Sequence, residues 1–249
     1  RQVGDCIWWF GTEVTDVELG PTRQPGFANV ASGRVVGTQV DLEWVDLPLG
    51  DTVNGGGLTF IYDSGSGQLT FTEQRGGTQP FGDIVLTRIQ PDAAPSATPS
   101  TTLSPSTDSV LTDLSAIGCA GNDPADEGEL TGAWSGNDSG TYYIRHVGDC
   151  VWWFGTEVRD LELGPVDQRG FANVASGRIV GNQVDLEWAD VPLGNTVNGG
   201  GLTFIYDVAS NQLKLVQQRG GNQPFGGTVL TRIQPEATSS ATPSATPTP

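Results

Sequence analysis

The 249 residues carry 29 acidic and 12 basic side chains, a formal net charge of −17, with one histidine and three cysteines. So acidic a chain suits neither nucleic acid, whose phosphates call for clustered Lys and Arg, nor an anionic membrane surface. No apolar run reaches the length of a membrane span and no leader peptide is visible, so the sequence reads as a mature chain or a fragment.

The chain opens on RQVGDCIWWFGTE, and RHVGDCVWWFGTE recurs at Arg145 to Glu157. Residues 1–91 align without a gap to 145–235, and 22 of the 91 positions differ. Such closeness points to a recent duplication in which both copies do the same work. The expected organisation is a first repeat at 1–91, a linker at 92–128, a second repeat at 129–235 and a tail at 236–249. Linker and tail are rich in Ser, Thr and Pro, the composition of extended, O-glycosylated tethers, with an unmodified disordered spacer as the alternative. The glycosylation candidates are Thr98, Thr101, Thr102, Ser104, Ser106 and Thr107 in the linker, and Thr242, Ser244 and Thr246 in the tail. Asn137 in Asn-Asp-Ser is an N-linked candidate.

An odd cysteine count in a secreted chain suggests that one partner lies elsewhere. Cys6 and Cys150 are equivalent, and Cys119 precedes Cys150 by 31 positions. The simplest pairing is Cys119 with Cys150, leaving Cys6 for a partner outside this chain. Pairing of Cys6 with Cys119, and three reduced thiols, remain alternatives.

The second repeat holds eight strand candidates in chain order: LTGAWSG, TYYIRH, CVWWFGTE, FANVASGRIV, QVDLEWADV, GLTFIYD, QLKLVQQ and TVLTRIQ. Turn chemistry separates them, at Gly148-Asp149, Gly181-Asn182, PLGNTVNGG, VASN and GGNQPFGG. The expected fold is all-β: two tandem up-and-down antiparallel barrels joined by the Ser/Thr/Pro-rich linker. A turn at Val147-Gly148 places Tyr143 opposite Trp152 and Tyr142 opposite Trp153. Alternation then puts Cys150, Trp152 and Phe154 on one face and Val151 and Trp153 on the other. If Cys150 is bridged outside the wall, Trp152 and Phe154 face outward, as do Trp8 and Phe10. Such a patch marks a contact surface unless the linker or the barrel's own loops cover it.

Gly132-x-Trp134 on the first strand and Thr231-Arg232 on the last resemble the calycin group of lipocalins and avidins. The run LTGAWSGNDSGTYYIR followed by VGDCVWWFG also resembles small β-barrel modules repeated in extracellular bacterial proteins of unestablished function. The resemblance implies an eight-stranded barrel in which the tryptophan packs beside the arginine. It covers the second repeat fully and the first only from its third strand, so the first barrel lacks its first two strands while retaining Arg88. Six strands leave two raw edges. A longer repeat array, a cleaved but docked hairpin, or strands donated by another chain each account for this.

The lone histidine, His146, is Gln2 in the first copy and is expected at an exposed hairpin, which argues against His-based triads and most zinc sites. Asp185 and Glu187, like Asp41 and Glu43, lie roughly 7 Å apart along a strand and read as a solvated outer face rather than a catalytic pair. No enzyme activity, metal or cofactor is expected. A ligand-binding barrel is the rival, with Asn198 and Gln223, or Asn54 and Gln79, as mouth residues for a sugar and a Trp to stack on it. The alternative is that large inward side chains simply fill the barrel. The leading expectation is a structural subunit of an extracellular filament or surface layer, its partners further copies of itself and covalent glycans. Its assembly residues would be Arg1, Trp8, Phe10, Arg88, Trp134, Tyr143, Trp152 and Phe154.

Overall fold

The computed structural model describes residues 1–15, 23–81, 84–88, 119, 122–159, 161 and 168–234. The linker and tail glycosylation candidates lie outside these residues.

Among the described residues, fifteen strands form two antiparallel sheets. The first holds β1 (Gln2–Val3), β2 (Cys6–Thr12), β3 (Ala28–Val36), β4 (Gln39–Asp46), β5 (Gly55–Asp63), β6 (Gln68–Arg75) and β7 (Val85–Thr87), paired in sequence order and open at β1 and β7. The second is a closed barrel of β8 (Gly132–Gly136), β9 (Thr141–Val147), β10 (Cys150–Thr156), β11 (Ala172–Val180), β12 (Gln183–Asp190), β13 (Gly199–Asp207), β14 (Gln212–Arg219) and β15 (Val229–Arg232). The all-β tandem architecture is therefore as expected. The first sheet has seven strands rather than six, because Gln2 and Val3 pair with Ile7 and Cys6 as a short remnant of the second strand.

Closure occurs where β15 pairs with β8, with Arg232 opposite Trp134. The Arg232 guanidinium lies 4.9 Å from the Trp134 ring centroid and donates to the Thr131 and Glu129 carbonyls. Trp134 donates its indole N–H to Leu130 O at 3.0 Å. Gly132 sits at φ +147°, and a Cβ there would lie 3.2 Å from Arg232 Nη1, so both backbone and space call for glycine.

The β9–β10 register differs from the sequence expectation by two residues. Trp152 faces Arg145 and Phe154 faces Tyr143, because the loop is Gly148-Asp149, with Gly148 at φ +62°. The two faces of β10 are as expected. Val151 and Trp153 join the barrel interior with Trp134, Tyr142, Trp188, Phe204 and Phe225, whereas Cys150, Trp152 and Phe154 lie in an outer cluster.

That outer cluster is shared with the first sheet. Cys6, Trp8 and Phe10 pack against Cys150, Trp152 and Phe154, so each copy covers the stripe of the other. Equivalent residues meet on the dividing line. Phe10 stacks on Phe154 with ring centroids 3.7 Å apart and planes inclined by 4°, and Ser176 bonds to Ser32 at 2.7 Å. Self-pairing of equivalent side chains is the signature of a two-fold axis, here a pseudo-two-fold within one chain.

Candidate functional site

The closed barrel gives a template for reading the open sheet, since the same side chains occur in both. Trp153 is fully buried and Phe225 is 5% exposed; their counterparts Trp9 and Phe81 are only half-buried. Tyr206 and Leu213 are buried, while Tyr62 and Leu69 are half-buried. The open sheet thus presents half of a barrel core. At its far edge Val85 is 53% and Leu86 37% exposed. Arg88, the counterpart of Arg232, is exposed and follows this edge with its backbone N–H bonded to Gly67 O.

The expected assembly residues separate into three groups. Trp8, Phe10, Tyr143, Trp152 and Phe154 come together in the contact between repeats. Trp134 lies inside the closed barrel. Arg88 stands at the open sheet's β7 edge, and Arg1 borders a groove between the repeats. Cys119 is bonded to Cys150 and Cys6 is a buried free thiol. Asn137 is exposed at the β8–β9 turn, its amide donating to Thr228 Oγ1 and accepting from Val229 N–H.

His146 corrects an expectation. It is 7% exposed rather than at a wet hairpin, because residues 127–131 cross over β9. Its Nδ1 accepts from Leu130 N–H at 3.3 Å and its Nε2 lies 2.8 Å from Gly148 O. Burial lowers its pKa. Glu43 is likewise 7% exposed, not solvated, and accepts the Cys119 N–H at 3.2 Å. Asp185 accepts from Thr203 Oγ1 at 2.6 Å and lies 3.8 Å from Arg219. Sequence reasoning missed Glu43 because the residue that covers it, Cys119, lies 76 positions away; Glu187 is half-buried beside Arg219 at 3.6 Å.

The barrel mouth is a depression of about 450 Å³ bordered by Asp138, Tyr142, Glu157, Trp188, Asp190 and Phe225. Phe225 plugs the interior below, packing edge-on to Trp188 and stacked on Trp153. Asn198 holds the two mouth loops together, donating to Gln223 O and accepting from Asn222 N–H. Asn54 does the same with Gln79 O and Thr78 N–H. These amides are spent on turn structure. Tyr142 donates to Asp138 at 2.7 Å. Asp190 is 3% exposed with Oδ2 lacking a hydrogen-bond partner, and burial raises its pKa.

Compared with family models, curated proteins and solved structures, the chain finds no match.

Proposed function

We propose that the chain is a structural building block of an extracellular filament or surface layer, joined to its neighbours by β-strand complementation of the first sheet. The observation that carries this reading is the open sheet itself, which repeats the barrel's strands but, among the described residues, leaves the outer edges of β1 and β7 unpaired and Trp9, Tyr62, Leu69 and Phe81 only half-buried. Unpaired strand edges recruit further strands. A pair with the chemistry of β8–β9 would supply the partner for Arg88 that Trp134 supplies for Arg232. A neighbour that donates its own β8–β9 pair opens its own barrel and exposes a further acceptor, so the assembly runs head to tail. Glycans on the Ser/Thr/Pro segments would keep such fibres soluble.

The test is addition of a peptide spanning residues 129–147, read by native mass spectrometry. A one-to-one complex with the full chain, weakened by replacing Trp134 of the peptide with Ala, supports the reading. Absence of a complex at peptide concentrations near 1 mM, where even weak specific association of about −4 kcal/mol registers, contradicts it.

A second reading, a carbohydrate- or small-ligand-binding module, draws on the unpartnered Asp190 oxygen at the barrel mouth. Calorimetric titration with an oligosaccharide panel separates the two, because a mouth ligand loses affinity in D190N and is indifferent to the open sheet.

A further inference from the structure

The mouth of the closed barrel has an aromatic floor and an acidic rim. Phe225 plugs the interior, with the Trp188 ring centroid 5.0 Å away and that of Tyr142 6.2 Å away, and Phe171 lies 5.9 Å from Tyr142. The depression above them, about 450 Å³, is of a size that takes a small organic molecule. Asp138 reaches it from the β8–β9 turn, Glu157 from just after β10, and Asp190 from the end of β12. Burial, followed by the charges of Asp138, Glu157 and Asp190, raises the Tyr142 pKa, which places all three carboxylates around one phenol. Among the described residues, no Lys, Arg or His borders the depression.

Most polar groups around the mouth are already satisfied by the protein. Tyr142 donates to Asp138, Asn173 Oδ1 accepts from Trp153 Nε1 at 2.9 Å, and Asn198 joins the two loops. Asp190 is the exception. It follows Trp188 by two residues on β12 and so shares its inward face, one step nearer the mouth. It is 3% exposed, and its Oδ2 is buried with no hydrogen-bond partner. Trp188 Nε1 is likewise buried without an acceptor. The same pair recurs in the first sheet, where Asp46 Oδ1 and Trp44 Nε1 are both unpartnered. The arrangement thus belongs to the repeat rather than to one copy's packing.

We infer that the barrel mouth is a binding site for a basic amino sugar, its ammonium group held by Asp190 between Glu157 and Asp138, with a ring hydroxyl accepting from Trp188. The inference rests on the second reading above, that the mouth takes a ligand, and names the class of that ligand. A buried anionic acceptor calls for a cationic donor, because a charge-assisted bond recovers what an unpaired carboxylate oxygen loses. A neutral sugar brings hydroxyls but no charge to an acidic rim. A plain alkylammonium brings the charge but leaves the indole N–H without an acceptor. An amino sugar meets both, and its C–H faces and its cation suit the aromatic floor.

The test is calorimetric titration of the full chain with three β-1,4-linked disaccharides that differ only at C2: the glucosamine dimer, its N-acetylated form and cellobiose. The glucosamine dimer should bind at least about tenfold more tightly than either neutral sugar, the margin of one charge-assisted hydrogen bond. Cadaverine, an ammonium without a hydroxyl, should bind more weakly than the glucosamine dimer. D190N should erase the preference. E157Q, at an exposed position, should reduce it and keeps the test sound should D190N perturb the fold. E73Q removes the same charge from an exposed site on β6 and should leave affinity unchanged, which controls for the attraction of any cation to a chain of net charge −17. Equal loss in E73Q and D190N marks binding to the acidic surface at large and overturns the inference. Equal affinity for the three disaccharides overturns the amino-sugar class, and if D190N weakens all three alike, the mouth reading survives it. Absence of binding by all three near about 10 mM overturns the class and returns the mouth reading to the wider oligosaccharide panel.

Discussion

A buried carboxylate without a full set of partners titrates against the fold, and Asp46 is the clearest instance. It is 3% exposed, its Oδ1 has no hydrogen-bond partner, and burial pushes its pKa up to about 6, partly offset by bonds from Thr52 and Asn54. The folded value lies above the unfolded value of 3.8. Its stabilising contribution is therefore complete below pH 3.8 and lost as pH rises through about 6. D46N should gain stability at pH 7, by up to about 3 kcal/mol, and flatten the profile between pH 4 and 7 in urea titrations. A profile as steep as the parent's would contradict the assignment. His146 acts with the opposite sign. Its pKa is lowered, so its contribution is present above its ordinary value near 6.5 and declines as pH falls below it. H146Q, which installs the first repeat's residue, should remove that acid-side loss. The sequence placed His146 near a hairpin correctly, but its burial depends on residues 127–131, which have no counterpart within the first copy.

At the scale of elements, closing a barrel depends on few residues, because β15 is short. Arg232 joins the two closing strands through the Trp134 ring and two backbone carbonyls. Charge-assisted bonds of this type contribute about 1.5–3 kcal/mol each, and a cation over an indole about 0.5–2. R232A should destabilise the second barrel by about 2–4 kcal/mol in thermal or urea unfolding. R88A should be near neutral in the chain alone, yet weaken binding of the 129–147 peptide. Equal costs at both positions would contradict the reading of Arg88 as a receptor still awaiting its tryptophan. Most strands were legible because alternation and Gly/Asn turns repeat twice, and Gly132-x-Trp134 with Arg232 located the closure. The β9–β10 register was not, because Gly148 serves as either residue of a two-residue loop, Val147-Gly148 or Gly148-Asp149, and the two choices shift the pairing by two residues. Positive φ at Gly148 selects the latter.

Taken as a whole, the molecule is a pseudo-symmetric pair whose outer aromatic stripes cover one another. Sequence alternation identified the stripe but not its partner, since nothing local in either copy distinguishes a surface for its twin from one for another chain. F154A should remove the Phe10 stack and lower the stability of the pair by about 3–5 kcal/mol, with both repeats still folded. Limited proteolysis and small-angle scattering would show the two repeats separating. A compact, protease-resistant pair in F154A would contradict a contact centred on that stack.

The central claim is that the open sheet is completed by a neighbour, and electron microscopy of natural material kept native and non-reduced tests it most directly. The account predicts regular fibres or a layer with a one-chain repeat, and Cys6 linked between chains. Monodisperse single chains with a free Cys6 thiol and an intact open sheet would contradict it.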